Sequence, residues 1–174
     1  KLGQTELALN DIKQAISLKP SSNAYFSLAV KYKDDRNHSE AINSLSKAIR
    51  IEKSVKNLDF RAHLYSLTED KTSQIHDLIS IINIYEAKNM GNDHMLKKTF
   101  FDLIPLLIKK EYSLEMTTEI WEKGISIFKE EYRFQSFQAG IQFSAGKLKE
   151  AYSTITTVLN TNEIMLEDDY TYNI

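Results

Sequence analysis

Small and large apolar residues recur along the chain in a fixed order. Pairs of small residues stand seven positions apart, which is two helical turns, so both members fall on one stripe of a helix. A larger apolar residue lies between them, as Leu45 does between Ala41 and Ala48. This pattern predicts amphipathic helices that pack through a narrow seam of small side chains.

The pattern occurs five times at a nearly constant period. The copies begin 33, 33, 43 and 34 residues apart, at Ala8, Ala41, Gln74, Thr117 and Ala151. A period near 34 is typical of stacked helical hairpins, and the longer spacing predicts an insertion of roughly ten residues. Five glycines and two prolines in 174 residues are too few for a protein built from strands and tight turns.

The clearest copy has two helical halves separated by a polar turn. Its apolar and small positions, in order, are Tyr25, Leu28, Ala29, Tyr32, Ala41, Leu45 and Ala48. This order resembles the tetratricopeptide repeat, whose paired helices carry an early aromatic residue, a leucine followed by a small residue, a tyrosine and two alanines seven apart. The resemblance implies an all-α fold, a right-handed superhelical solenoid of antiparallel helix pairs.

The resemblance divides the chain into segments of unequal quality. Residues 1–20 are expected to form the second helix of a truncated repeat, 21–53 and 54–85 one repeat each, 86–130 a divergent repeat with a loop insertion, 131–162 another repeat, and 163–174 the start of a further helix or an acidic tail. Pro105 predicts a kink or a later helix start in the divergent repeat. The chain opens without methionine, which leads us to expect a stretch of a longer protein.

Charge and cysteine content narrow the function classes. Twenty-two basic and 24 acidic side chains leave a net charge of -2, which disfavours nucleic acid as a partner. The chain has no cysteine, so disulfides and thiolate metal sites are excluded. No apolar run approaches the roughly 20 residues of a membrane span. We therefore expect an intracellular, cytoplasmic protein.

The residues that could carry chemistry are scattered. The four histidines lack the paired spacing of a zinc hydrolase, and no phosphate loop or nucleophile motif is present. We therefore predict no enzyme activity, no cofactor and no metal site. His76 next to Asp77 is a very weak metal signal, and Asp77 is expected either to face solvent or to pair with Arg61 on the facing helix of its hairpin.

The resemblance also implies a protein-binding groove lined by the first helix of each hairpin. Carried onto this sequence, that inner face comprises Phe26, Val30, Lys33, Asp59, His63, Ser66, Asp102, Leu106 and Lys109. Phe26 and Val30 stand where family members that grip a peptide carboxylate need polar groups, so that specificity is disfavoured. A partner helix or extended segment in the groove, or docking of the convex face into a complex, fits better. Charged substitutions of Phe26 and His63 are then expected to weaken partner capture without unfolding the protein.

The sequence therefore predicts a non-catalytic protein-protein interaction scaffold, a subunit of a large intracellular assembly such as that of a cilium or axoneme. One alternative is an RNA-binding helical repeat of the pentatricopeptide type. The basic and aromatic residues that would favour it are Lys97, Lys98, Phe100, Phe101, Lys109 and Lys110, although amphipathic helices often place lysines outside and phenylalanines inside. A second alternative is a regulatory array attached to an enzyme domain outside this segment.

Overall fold

A computed structural model describes residues 2–91, 93–109, 112–129 and 131–171, with side chains for 7, 9–91, 93–109, 112–129 and 131–160. Within these ranges the regular structure is helical, and no helix is long and apolar enough to cross a membrane. The helices are α1 Leu2–Leu18, α2 Ser22–Asp34, α3 His38–Ile51, α4 Val55–Leu67, α5 Lys71–Ala87, α6 His94–Ile108, α7 Leu114–Ile127, α8 Tyr132–Ser144 and α9 Leu148–Thr171.

Short connections make consecutive helices into hairpins. The packed pairs are α2 with α3, α4 with α5, α6 with α7, and α8 with α9. Three first helices end in the same turn, in which the second residue after the helix has a positive φ, at Arg36, Glu69 and Gly146. The next backbone N–H then donates back to a carbonyl in the last helical turn, for example from Asn37 to Tyr32 at 2.8 Å. This Schellman-type cap reverses the chain within three residues, so the paired helices are antiparallel.

Side-chain caps begin most of the helices. Ser21 accepts a hydrogen bond from the N–H of Ala24 at 3.2 Å, and Asp93 accepts one from Met95 at 2.8 Å. Asn37, which opens a glycosylation-like triplet in the sequence, accepts one from the N–H of Glu40 at 3.3 Å. These bonds satisfy N–H groups that the helix itself leaves without partners, and they place the starts of the helices.

Residues 1–89 form one compact unit around a seam of alanines. Ala29, Ala41 and Ala48 are fully buried, and Leu45 and Leu64 fill the space beside them. Small side chains at these positions let α2 approach α3 closely. Packing of α3 against α4 extends the same core to the next hairpin.

Residues 90–174 form a second compact unit with a different core. Phenylalanines dominate it: Phe100 and Phe134 are fully buried, and Phe128 lies beside both with ring centroids 6.2 and 6.1 Å away. Room for these rings comes from Gly124, because a Cβ there would overlap the ring of Phe134. In this unit α8 packs against α6, α7 and α9.

Two helices have unusual lengths or contents. Helix α6 continues through Pro105, which lies in its last turn, so the helix neither begins after the proline nor ends at it. Helix α9 is 24 residues long, whereas α3 and α7 have 14 each. Residues 163–171 belong to this same helix, and 172–174 lie outside the described residues.

Candidate protein-binding surface

The predicted inner-face residues of the first unit share one register. Phe26, Val30 and Lys33 are the fifth, ninth and twelfth residues of α2, and three residues of α4 hold the same places: Asp59, His63 and Ser66. These intervals of four and three residues keep each set on one helical face. We call these six residues the α2/α4 surface.

Direct contacts bring α2 and α4 together. The rings of Phe26 and Phe60 lie 5.4 Å apart, and Asn57 Nδ2 donates to Ser22 Oγ at 2.9 Å. Lys56 Nζ lies 3.8 Å from the centroid of the Phe26 ring, which is cation-π geometry. The two first helices therefore present their faces side by side.

The six residues of the α2/α4 surface differ in their roles. Phe26 is half-buried and packs against the alanine seam, so it supports the core as well as the surface. A charge at Phe26 is therefore expected to destabilise the fold, unlike the expectation from the sequence. His63 and Ser66 are exposed, whereas Val30, Lys33 and Asp59 are half-buried. The exposed pair offers the better position for a test of binding.

The second unit repeats the cation-aromatic arrangement with other residues. The rings of Phe101 on α6 and Phe137 on α8 lie 5.9 Å apart, and Arg133 Cζ lies 4.4 Å from the Phe101 ring. Arg133 and Phe137 are the second and sixth residues of α8, as Lys56 and Phe60 are of α4. These contacts make Phe101 the counterpart of Phe26.

The inner-face residues predicted on α6 lie one position further along the helix than the counterparts of the α2 residues, because the prediction starts at Asp102 and the counterpart of Phe26 is Phe101. Asp102 is exposed and pairs with Lys98 at 3.0 Å, while Leu106 is half-buried. Lys109 is exposed and caps the C-terminal end of α6. By the contacts of Phe101, the residue that corresponds to Lys33 of α2 is Ile108.

An apolar pocket of about 470 Å³ lies at this register in the second unit. Its lining residues are Leu107, Ile108, Tyr112, Leu114, Thr117, Ile141, Phe143, Ser144 and Gly146. Phe143 is the twelfth residue of α8, the counterpart of Ser66 in α4. It is 66% exposed, so a large aromatic ring stands at the rim. We call this feature the α6/α8 pocket.

The α6/α8 pocket was not predicted from the sequence. The signal that could have revealed it is an aromatic residue, Phe101, which stands seven residues before Ile108 as Phe26 stands before Lys33. This correspondence was not recognised because the connection from α6 to α7 spans five residues, whereas that from α2 to α3 spans three, so α6 is shifted relative to the pattern of the second helices.

A buried ion pair accounts for the most chemically distinctive residues of the first unit. Arg61 donates from Nε and Nη2 to the two carboxylate oxygens of Asp77, at 2.8 and 2.7 Å, and from Nη1 to Ser46 Oγ at 2.8 Å. The hydrogen bond with Asp77 raises the pKa of Arg61 above its ordinary value, while burial acts in the opposite direction. Asp77 is fully buried, so of the two alternatives for this residue the pair with Arg61 is confirmed. Its role is to join α3, α4 and α5.

The other candidate residues do not come together as a metal site within the described part of the chain. His76 is 78% exposed beside Asp77. In the part of the chain that the structure describes, no three histidine or acidic side chains are grouped to hold a metal ion. Lys97 pairs with Glu131 at 3.1 Å, while Lys110 lies outside the described residues. Phe100 is buried, so the lysines and phenylalanines take the outward and inward positions of an amphipathic helix.

Comparisons with known proteins bear on the fold. No protein-family model matches the chain. A segment of 50 residues is 42% identical to bacteriophage adsorption protein A of Escherichia coli strain K12, covering 29% of this chain and 5% of that protein. This chain thus corresponds to a small part of that relative.

Solved structures match over nearly the whole chain. A crystal structure of MamA superposes with a TM-score of 0.67 at 18% identity, covering 95% of this chain and 92% of that one. A tetratricopeptide repeat protein from Parabacteroides merdae gives 0.69 at 14% identity, covering 92% and 61%. The chain has the fold of a tetratricopeptide-repeat array. This confirms the predicted all-α solenoid of helix pairs.

Proposed function

We propose that the chain is a non-catalytic scaffold that binds a helix or extended segment of another protein along the first helices of its hairpins. The observation that carries this proposal is the α6/α8 pocket. It is open and largely apolar, and its size suits one or a few apolar side chains of a partner. Apolar anchors surrounded by polar contacts are the usual source of affinity in such grooves.

The α2/α4 surface adds a more polar contact area. It combines Lys33, Asp59 and His63 with a serine and two apolar residues. Because positively and negatively charged side chains are mixed on this surface, it favours a partner without strong net charge over one that is highly acidic or basic. This agrees with the net charge of the whole chain and argues against a nucleic acid.

Membership of a larger assembly follows from the same proposal. An array with two separate contact areas suits a subunit that holds more than one segment of its partners. A cytoplasmic location, and a ciliary or axonemal one, stay predictions of the sequence.

The decisive experiment is a crosslinking map of partners captured by the protein from its native source, followed by substitution of Phe143. We expect Phe143→Glu to reduce capture by about tenfold or more, because a charge at the rim opposes entry of an apolar anchor. The melting temperature should stay unchanged, since Phe143 is largely exposed.

Ile51→Glu is the matched control. Ile51 is 51% exposed, but it lies on the second helix α3 in residues 1–89 and does not line the α6/α8 pocket. Equal loss of capture in both variants would contradict the proposal. Tight, salt-sensitive binding to RNA would favour the pentatricopeptide-like alternative instead.

A further inference from the structure

A second open cavity, of about 500 Å³, lies at the opposite end of the helices that contribute to the α6/α8 pocket. The α6/α8 pocket includes the C-terminal ends of α6 and α8, whereas the second cavity is lined by the N-terminal part of α6 and by residues at the start of α8. Both cavities belong to the unit of residues 90–174. We call the second cavity the basic pocket, after three cations that line it: Lys97, Lys98 and Arg133.

A continuous seam between α6 and α8 joins the two cavities. At the basic pocket, the ring of Phe101 contacts both Arg133 and the ring of Phe137. Seven residues further along α6, Ile108 Cδ1 lies 3.1 Å from where a Cβ of Gly140 would be. Because the residue numbers rise together along the two helices, α6 and α8 run in the same direction and share one groove from end to end.

Two of the three cations in the basic pocket have a carboxylate beside them. Lys97 pairs with Glu131 at 3.1 Å, and Lys98 pairs with Asp102 at 3.0 Å. Arg133 is exposed, and in the described part of the chain no carboxylate lies within ion-pair distance of it. Three basic and two acidic side chains thus leave one positive charge, at Arg133.

An aromatic ring holds the guanidinium of Arg133 in position. Its Cζ lies 4.4 Å from the centroid of the Phe101 ring. A guanidinium over a ring still donates from its N–H groups, whose planar arrangement matches the two oxygens of a carboxylate. Since the ring already restricts the side chain, less rotamer freedom is lost when a ligand binds. Arg61 differs, because its donors are already used by Asp77 and Ser46.

The length of the seam sets the spacing of the side chains that a partner needs. Lys98 at one cavity and Ile108 at the other are ten residues apart on α6, which corresponds to about 15 Å of helix. An extended chain covers this distance in about four or five residues. A helix is about 10–12 Å wide, more than the roughly 8–10 Å between the axes of packed helices, so it would rest on the seam instead of entering it. An extended segment therefore fits the seam better.

We propose that the seam between α6 and α8 binds an extended segment of a partner with two anchors. One anchor is an apolar side chain in the α6/α8 pocket, and the other, about four or five residues away, is an aspartate or glutamate whose carboxylate binds Arg133. This inference rests on the proposed function, because the α6/α8 pocket supplies one of the two contacts. It adds a requirement for an acidic residue at a fixed distance from the apolar anchor.

Selection of random peptides displayed on phage, with the purified chain as the target, tests this requirement. We expect the enriched peptides to carry an acidic residue about four or five positions from a bulky apolar one. A synthetic peptide of this kind is then compared with a version that has an uncharged amide in place of the acidic residue. The amide version should bind about five- to tenfold more weakly, because a charge-assisted hydrogen bond is lost.

Substitution of Arg133 identifies the side chain that reads the carboxylate. Arg133→Gln should weaken binding of the acidic peptide by the same factor and leave binding of the amide version unchanged, since both changes remove one interaction. Arg133→Lys should have a smaller effect, because it keeps the charge but loses the planar donors. Arg50→Gln is the matched control, since Arg50 is exposed on α3 in the other unit and lines neither cavity. Circular dichroism checks that each variant is folded.

The possible results separate this inference from the proposed function. Enriched peptides that need Phe143 but carry no acidic residue at this spacing would overturn the inference and leave the proposed function intact. Acidic peptides whose affinity Arg133→Gln does not change would do the same. A selection without enriched peptides, or with peptides whose binding Phe143→Glu does not affect, would overturn the proposed function and this inference with it.

Discussion

The two units build the same helix hairpin with different seam chemistry. In residues 1–89 the first and second helices meet through alanines, and a buried Arg61–Asp77 pair ties three helices together. In residues 90–174 a single glycine, Gly124, makes room for a large ring, that of Phe134. A repeat fold therefore constrains the summed volume at the seam more than the identity of any one residue.

The difference has consequences for how each unit can fail. The alanine seam tolerates little added volume, but it contains no charged group that a substitution could leave without a partner. An ion pair inside the first unit is the opposite case, because loss of one member leaves the other without its partner. A glycine beneath a ring is sensitive to a single carbon atom. Three substitutions probe these three cases.

The largest effect is expected from Asp77→Ala in the first unit. It would leave the guanidinium of Arg61 partly buried without its carboxylate, at a cost of about 3–5 kcal/mol in the free energy of unfolding. Urea denaturation followed by circular dichroism measures this cost. Because the folded-state pKa of Arg61 is raised, its contribution is complete below arginine's ordinary pKa and is lost only as the pH rises through the raised pKa.

Replacing both members is the control for that prediction. The double variant Arg61→Met, Asp77→Leu removes the buried charges together and should be less destabilised than Asp77→Ala alone. If Asp77→Ala cost less than about 1 kcal/mol, the pair would not be the link between α3, α4 and α5.

An intermediate effect is expected from Ala48→Leu. Three added carbons would overpack the fully buried seam between α2 and α3 and cost about 1–3 kcal/mol. Ala15 holds the matching place in α1 but is exposed, so Ala15→Leu should change the free energy of unfolding by less than about 0.5 kcal/mol. Equal costs in the two variants would contradict the assignment of the seam. Thermal and urea melts compare them directly.

The smallest of the three effects is expected from Gly124→Ala. The added Cβ would overlap the ring of Phe134 and approach Phe100 Cδ1 to 3.2 Å, a steric cost of about 1–3 kcal/mol. Better helix propensity returns up to about 1 kcal/mol, so the net loss should be about 1–2 kcal/mol. Trp121 is the chain's single tryptophan and lies in this unit, so its fluorescence during denaturation reports the change.

Gly140→Ala separates steric cost from propensity. Its Cβ would lie 3.1 Å from Ile108 Cδ1, the end of a flexible side chain that can shift. We expect no loss, or a gain of up to about 1 kcal/mol from helix propensity. A loss in Gly140→Ala as large as that in Gly124→Ala would show that the ring of Phe134 is not the cause.

Local periodicity was sufficient to predict the second helices. Four of the five predicted copies begin at the fourth residue of their helix, as Ala41 does in α3 and Ala151 in α9. The pattern can be recognised in a single sequence because every turn of such a helix must bury a residue on the same stripe. The same reasoning gave the Arg61–Asp77 pair as one of two alternatives, since facing positions in a hairpin follow from the repeat, and the structure decided between them.

The first helices were harder to place. If the inner face of α6 begins as far before Thr117 as Phe26 stands before Ala41, it begins at Asp102. The ring contacts instead give Phe101 the place that Phe26 has in α2. The sequence contains no marker for the longer connection between α6 and α7. A shift of one residue turns a helix face by about 100°, so a small error in loop length changes which side chains line the surface.

The order of small, aromatic and branched residues was enough by itself to indicate the second helices and their period, and its resemblance to a known repeat supplied the pairing into hairpins and the kind of fold. Only the tertiary structure decided that Phe26 also supports the core, that Phe134 lies over Gly124, and that the α6/α8 pocket forms. The reason is physical. Helix formation depends on neighbours within a few turns, whereas burial of a given side chain depends on residues more distant in sequence that pack against it.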